Sequence, residues 1–169
     1  MSFTANDEAQ LRRLAVSYAR GVDRRDRALF LSAFHPDATL TVPSTTVPAG
    51  RVLRGHDQIG RVIEAITRFD RTFHLLGQAA YEPPDEGLDP KGTARGEVYC
   101  IAHHWHPRTI MYIRYSDIYL QNDSGWLITA RRVVVDMEEL EVRSAVWTEE
   151  RPRDEGATRE DGAQERAGG

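Results

Sequence analysis

The chain has 169 residues, a formal net charge of −4 and 40% hydrophobic residues. This length suits one domain with a single sizeable core. No apolar run approaches the length of a membrane span, and the arginines form scattered pairs instead of a basic stripe, which argues against membrane and nucleic-acid partners. The polar N-terminus does not resemble a signal peptide, and the one cysteine excludes an internal disulfide, so a cytoplasmic location is expected.

The first third of the chain carries two predicted helices. Apolar residues at three- and four-residue spacings predict an amphipathic helix from about Asp7 to Asp23, which Thr4 or Asn6 could cap. Asp26 is then a candidate cap for a short second helix from Arg27 to Phe34. A proline shortly after this stretch ends it, because the residue before proline avoids the α region.

The rest of the chain predicts one further helix and mostly strands. A strand over 38–42 and a loop with Pro and Gly precede a third helix that opens at Gly55. Stretches rich in β-branched and aromatic residues then predict four long strands, at about 71–82, 93–106, 109–120 and 126–139. The pattern predicts an α+β domain over 1–148, with three helices on a strongly curved antiparallel sheet that encloses an apolar pocket. Residues 149–169 lack periodicity and predict a disordered tail.

Several local motifs occur in an order and spacing that resembles the SnoaL-like branch of the nuclear-transport-factor-2-like (NTF2-like) superfamily, over roughly residues 7–140. The branch includes scytalone dehydratase, bile-acid 7α-dehydratase and hexachlorocyclohexane dehydrochlorinase. The motifs are Tyr18 to Asp23, Phe34 to Ala38, Gly55 to Ile59, Thr72 to Gly77, Ala94 to Cys100, and Arg114 to Tyr119 leading into Gly125-Trp126. The resemblance implies a cone-shaped fold and much less about chemistry, because this fold hosts many functions.

The resemblance implies an acid/base pair of Asp23 and His74. Members of the branch place an aspartate at the end of the first helix and a histidine on the first long strand after the third helix. A carboxylate on one imidazole nitrogen fixes the tautomer of a general base and stabilises the imidazolium. The alternatives are a histidine satisfied within the core, and an aspartate that caps the second helix or pairs with Arg20.

The run His103-His104-Trp105-His106 suggests zinc at first sight. Adjacent strand residues point to opposite faces, so only His104 and His106 share a face, and a metal site is not expected. Small apolar residues at alternate positions before His104 place it on the face that looks into the pocket. A pocket histidine on the corresponding strand of scytalone dehydratase makes His104 a candidate hydrogen-bond donor or acid, with His103 facing outward.

The remaining candidates line the predicted pocket. Tyr18 lies in the buried stripe of the first helix, either as a core aromatic or as a donor to a substrate oxygen. Arg132 is the candidate polar residue of the last strand, although either it or Arg131 could face inward, and a salt bridge to Asp117 explains an inward arginine equally well. Two further residues, Phe34 and Cys100, are expected to contact substrate.

The residues and the resemblance together predict a lyase or isomerase of the dehydratase type that acts on a small apolar cyclic substrate. The sequence has no dinucleotide fingerprint or P-loop, and no cofactor is expected. A non-catalytic ligand-binding or dimerisation module of the same fold is one alternative, and a polyketide cyclase that closes rings by aldol condensation is another. Apolar residues lie on both predicted faces of the sheet, and members of the family commonly associate through the face opposite the pocket. A homodimer or homotrimer is therefore predicted.

Overall fold

A computed structural model describes residues 4–83, 92–106 and 108–140. The predicted disordered tail at 149–169 lies outside these residues. The helices are α1 (Ala5–Arg24), α2 (Arg27–Leu31) and α3 (Gly55–Ile66). The strands are β1 (Phe34–Val42), β2 (Arg51–Arg54), β3 (Arg71–Glu82), β4 (Thr93–Trp105), β5 (Thr109–Asn122) and β6 (Gly125–Leu140).

The two N-terminal helices begin at side-chain caps. Thr4, not Asn6, is the N-cap of α1, and its side chain and that of Asp7 each accept a hydrogen bond from the other's backbone N–H. Asp26 caps α2 by accepting a hydrogen bond from the Leu29 N–H at 2.9 Å, as predicted. The second helix is shorter than predicted because the chain already enters the sheet at Phe34.

The strands form one curved, unclosed six-stranded sheet in the order β2-β1-β6-β5-β4-β3. All neighbouring strands pair antiparallel except β1 and β6, which are parallel. Register shifts interrupt the β3–β4 and β5–β6 ladders, and bulges of this kind bend a strand and strengthen its twist. The α+β class with its curved sheet is therefore confirmed, whereas strand β2 and the parallel pair were not predicted.

The core lies between the concave face of the sheet and the helices. Its largest apolar members come from α1, α2, β1 and the central strands, and include Leu11, Phe30, Phe34, Leu40, Tyr115, Tyr119 and Ile128. Among the described residues, no helix is both long and apolar enough to cross a membrane.

Gly21 permits close contact between α1 and α2. A Cβ built at this position would lie 2.6 Å from backbone atoms of Phe30, so the two helices would have to separate. We expect Gly21→Ala to lower the free energy of unfolding by about 1–3 kcal/mol, as overpacking does, despite the higher helix propensity of alanine. Chemical denaturation measures the change.

The matched control is Gly60→Ala in α3. A Cβ there would meet the guanidinium of Arg27, the flexible end of a long side chain that can move aside. This variant should stay within about 1 kcal/mol of the original protein. If both variants lost the same free energy of unfolding, the close contact at Gly21 would not be what sets the spacing of α1 and α2.

Candidate functional site

The last turn of α1 and the start of β3 bring Asp23 and His74 together. The His74 Nδ1 lies 2.6 Å from Asp23 Oδ1, and the backbone N–H of His74 donates to Asp23 Oδ2 at 3.0 Å. The hydroxyl of Thr72, two residues earlier on the same strand face, donates to Oδ1 at 3.0 Å. Both carboxylate oxygens therefore act as acceptors. His74 binds the carboxylate through its backbone N–H as well as through its ring.

Asp23 is ionised at neutral pH. Burial opposes its charge, but the hydrogen bonds from His74 and Thr72 outweigh that cost, and the pKa of the Asp23 carboxyl lies below its ordinary value. The His74 side chain is 6% exposed and that of Asp23 is 21% exposed. An ionised carboxylate that accepts from Nδ1 requires the ring hydrogen on that nitrogen, which leaves the Nε2 lone pair free to take a proton.

His104 lies next to this pair on the inward face of β4. Its ring centroid is 5.8 Å from that of His74 and 4.4 Å from that of Phe69, and its Nε2 is buried without a partner among the described residues. The predicted inward face of β4 is confirmed, since Val98 and Cys100 are also buried. Burial, and then the proximity of His74, lowers the pKa of His104 to about 4, so it is a neutral hydrogen-bonding group at pH 7.

A groove of about 320 Å³ reaches His104 from the surface. Apolar side chains of Phe69 and Met111 form part of its wall, and Arg68, Thr109 and Glu138 add polar groups. This volume falls in the range of small-molecule sites.

A second buried polar cluster is built on β5 and β6. Arg131 Nε donates to Asp117 Oδ1 at 2.8 Å and its Nη2 donates to Oδ2 at 2.6 Å, while the Tyr119 hydroxyl donates to the same carboxylate at 2.7 Å. The guanidinium lies 4.3 Å from the ring centroids of Tyr18 and Tyr115. Burial disfavours the charge on Arg131, but Asp117 outweighs it and raises the pKa. The fully buried Nη1 has no partner among the described residues.

The prediction that Arg132 lines the pocket is wrong. Arg132 is exposed and pairs with exposed Ser116, whereas Arg131 faces the interior. The reason is a bulge, because Ile118 pairs with Ala130 while the next residue of β5 pairs with Ile128, so β6 carries one extra residue. An extra residue reverses the inside–outside alternation beyond it, and this reversal is not visible in the sequence.

The other predicted residues lie in the interior. Tyr18 packs against Phe30 and Phe34, with ring centroids 5.0 and 6.0 Å away. Burial raises the pKa of Tyr18 to about 12 although the nearby Arg131 opposes the rise, so the hydroxyl keeps its proton. Cys100 lies within electrostatic range of both Asp23 and Arg131, and burial raises the pKa of its thiol to about 11. Phe34 is a core residue.

The three neighbouring histidines do not converge. His103 packs its ring against Trp105 on the outer face, opposite His104, and His106 lies in the turn after β4, where it pairs with Asp70 at 2.7 Å. Within the described ranges, no group of three or more His, Cys, Asp or Glu side chains has a metal-binding arrangement.

Helices laid over the concave face of a bent sheet define an NTF2-like fold. The chain belongs to the SnoaL-like domain family, whose sequence profile matches residues 4–132. No curated protein sequence matches it.

Solved structures share this fold at low sequence identity. A candidate scytalone dehydratase from Novosphingobium aromaticivorans has a TM-score of 0.66 at 18% identity, covering 79% of this chain and 87% of its own. A candidate aromatic ring hydroxylase from the same species has a TM-score of 0.70 at 18% identity, covering 83% and 96%. The hexachlorocyclohexane dehydrochlorinase LinA-type3 from Novosphingobium barchaimii has a TM-score of 0.67 at 14% identity, covering 81% and 91%.

His104 makes the stability of the protein depend on pH. The folded state keeps it neutral down to about pH 4, whereas the unfolded chain protonates it near 6.5. The unfolded state thus binds more protons in this window, and stability falls as pH drops from about 6.5 to 4. We expect this fall to be about 2 kcal/mol larger than in His104→Gln, measured by urea denaturation across the window. Parallel pH profiles for the two proteins would contradict the buried neutral state.

Proposed function

We propose that this protein is a cofactor-independent lyase or isomerase of the dehydratase type, in which His74 takes a proton from a small apolar cyclic substrate. The observation that carries the proposal is the 2.6 Å hydrogen bond from His74 to an ionised Asp23. Neighbours named as a dehydratase and a dehydrochlorinase add support, because both names describe eliminations.

The proposed reaction begins at carbon. The His74 Nε2 lone pair removes a proton next to a carbonyl group, and the electron pair of the C–H bond passes into an enolate. Asp23 stabilises the imidazolium that results. In a dehydration the enolate then expels the hydroxyl group at the β-carbon, which takes the proton from the His74 imidazolium and leaves as water. His104 or Tyr18 assists this departure by donating a hydrogen bond. In an isomerisation the proton returns to a different carbon.

Two groups are suited to hold the substrate oxygen. His104 is neutral and has an unpartnered Nε2 beside His74, so the tautomer with hydrogen on that nitrogen donates without repelling the imidazolium. The free Nη1 of Arg131 is a second buried donor. Asp117 balances the charge of Arg131, and Cys100 lies within electrostatic range of both Arg131 and Asp23.

Proton abstraction can be measured before the substrate is known. We expect the protein to exchange the α-hydrogens of cyclic ketones such as 1-tetralone for deuterium in D₂O, followed by NMR. His74→Gln and Asp23→Asn should each slow the exchange by about 10²–10⁴-fold, the usual contribution of a positioned base.

The matched control is His103→Gln, on the opposite face of the neighbouring strand, which should exchange at the original rate. Binding of the ketones without any exchange would instead favour a non-catalytic ligand-binding module. Carbon–carbon bond formation from a diketone probe would favour the cyclase alternative.

We further propose that the outer sheet face forms a homodimer or homotrimer interface. Leu75, Ile101, Tyr112 and Met137 are successive cross-strand partners, so they form an apolar row across β3 to β6. Leu75 is 55% exposed and Met137 is 50% exposed in the single chain. Ile101 and Tyr112, between them, are half-buried. An apolar row that stays partly exposed in the single chain is typical of an interface. We also propose that the domain covers residues 1–148 and that the protein is cytoplasmic.

We expect light scattering after size-exclusion chromatography to give a dimer or trimer. Leu75→Glu places a charge at the β3 end of the row and should dissociate the oligomer to monomers, since an unpaired charge is costly to bury. Val52→Glu, on an exposed residue of the edge strand β2, is the control and should leave the mass unchanged. A monomer for the unmodified protein would contradict the interface.

A further inference from the structure

Arg25 has a backbone conformation that does not suit an arginine. It is the C-cap of α1 with φ 58° and ψ 27°, in the left-handed region where glycine is the preferred residue. A non-glycine residue at such a position persists only where its surroundings hold it there. The side chain, not the backbone, must therefore account for the arginine.

The Arg25 guanidinium connects three segments at the site. Nη1 donates to the Val22 carbonyl at 2.9 Å and to the Thr72 hydroxyl at 2.8 Å, and Nη2 donates to the Phe69 carbonyl at 3.1 Å. Thr72 is the residue that donates to Asp23, and Phe69 is the residue whose ring packs on His104. One side chain thus contacts the supports of both inward-facing histidines.

The hydrogen-bond directions in this chain of contacts are dictated by chemistry. Arginine has only donors, so Thr72 must accept from Arg25. An ionised Asp23 has only acceptors, so the single hydroxyl hydrogen of Thr72 must point to its Oδ1. Oδ1 accepts from Thr72 and from the His74 ring, and Oδ2 accepts from the His74 backbone. The direction of the Thr72 hydroxyl is therefore set by Arg25 on one side and by Asp23 on the other.

We propose that Arg25 and Thr72 are positioning residues that act through Asp23 to hold His74 in the tautomer with hydrogen on Nδ1 and a free lone pair on Nε2. Neither residue touches the reacting atoms. Their catalytic meaning rests on the proposed function, but the tautomer itself is a property of the resting protein and can be measured without turnover.

The test is the ¹⁵N NMR spectrum of the histidine rings in the full-length protein at pH 7.5, with His74 assigned by loss of its signals in His74→Gln. The original protein should show the Nδ1–H tautomer at His74. Arg25→Gly and Thr72→Val should each convert it to a mixture of tautomers. Thr72→Ser, which keeps the hydroxyl, should restore the original pattern.

A second readout is the pKa of Asp23, followed by the ¹³C signal of its carboxyl carbon. Loss of the Thr72 hydrogen bond should raise this pKa in Thr72→Val, while Thr72→Ser should keep the original value. Arg24→Ala, at the exposed neighbouring arginine, is the control for a general change of charge and should alter neither readout.

Arg25→Gly removes the side chain without disturbing the backbone, because glycine adopts the left-handed conformation more readily than arginine does. A change in the tautomer then reports on positioning and not on folding. Should Arg25→Gly nevertheless unfold, the isosteric Thr72→Val and Thr72→Ser pair decides the question alone. An unchanged Nδ1–H tautomer in folded Thr72→Val would overturn the proposal. A lost tautomer together with absent deuterium exchange in the original protein would uphold the positioning role and refute the proposed function.

Discussion

Hydrogen bonds to the ionised carboxylate of Asp23 join the helical layer to the sheet. The carboxylate leaves the last turn of α1 and accepts three hydrogen bonds from Thr72 and His74 at the start of β3. A half-buried charge is tolerated only if its hydrogen bonds replace the water it loses. The end of α1 and the first residues of β3 are therefore held in one relative position, and the site depends on that position.

A second buried charge organises the opposite end of the interior. Arg131 and Asp117 face each other across β5 and β6, and the rings of Tyr18 and Tyr115 both lie against the guanidinium. Removing one partner of such a pair strongly destabilises the fold, since the other partner would be left as an uncompensated buried charge. The interior therefore offers a base at one end and a positive hydrogen-bond donor at the other, with small apolar side chains of β4 between them.

Much of the candidate site follows from local sequence patterns. The helical period places Tyr18 inward, and Asp23 follows near the helix end. The two-residue period of β4 places Val98, Cys100 and His104 on one face. The contact between Asp23 and His74 does not follow from either period. It was inferred by resemblance, and its geometry depends on how α1 crosses the start of β3.

The sequence by itself determined the α+β order, the cap at Asp26 and the inward face of β4, because each depends on residues only a few positions apart. Tertiary structure decided what depends on pairing between distant segments. The bulge in β6 turned Arg131 inward in place of Arg132, and the parallel pairing of β1 with β6 ended α2 early. It also brought Arg25 to Thr72, a contact across 47 positions that no local pattern encodes.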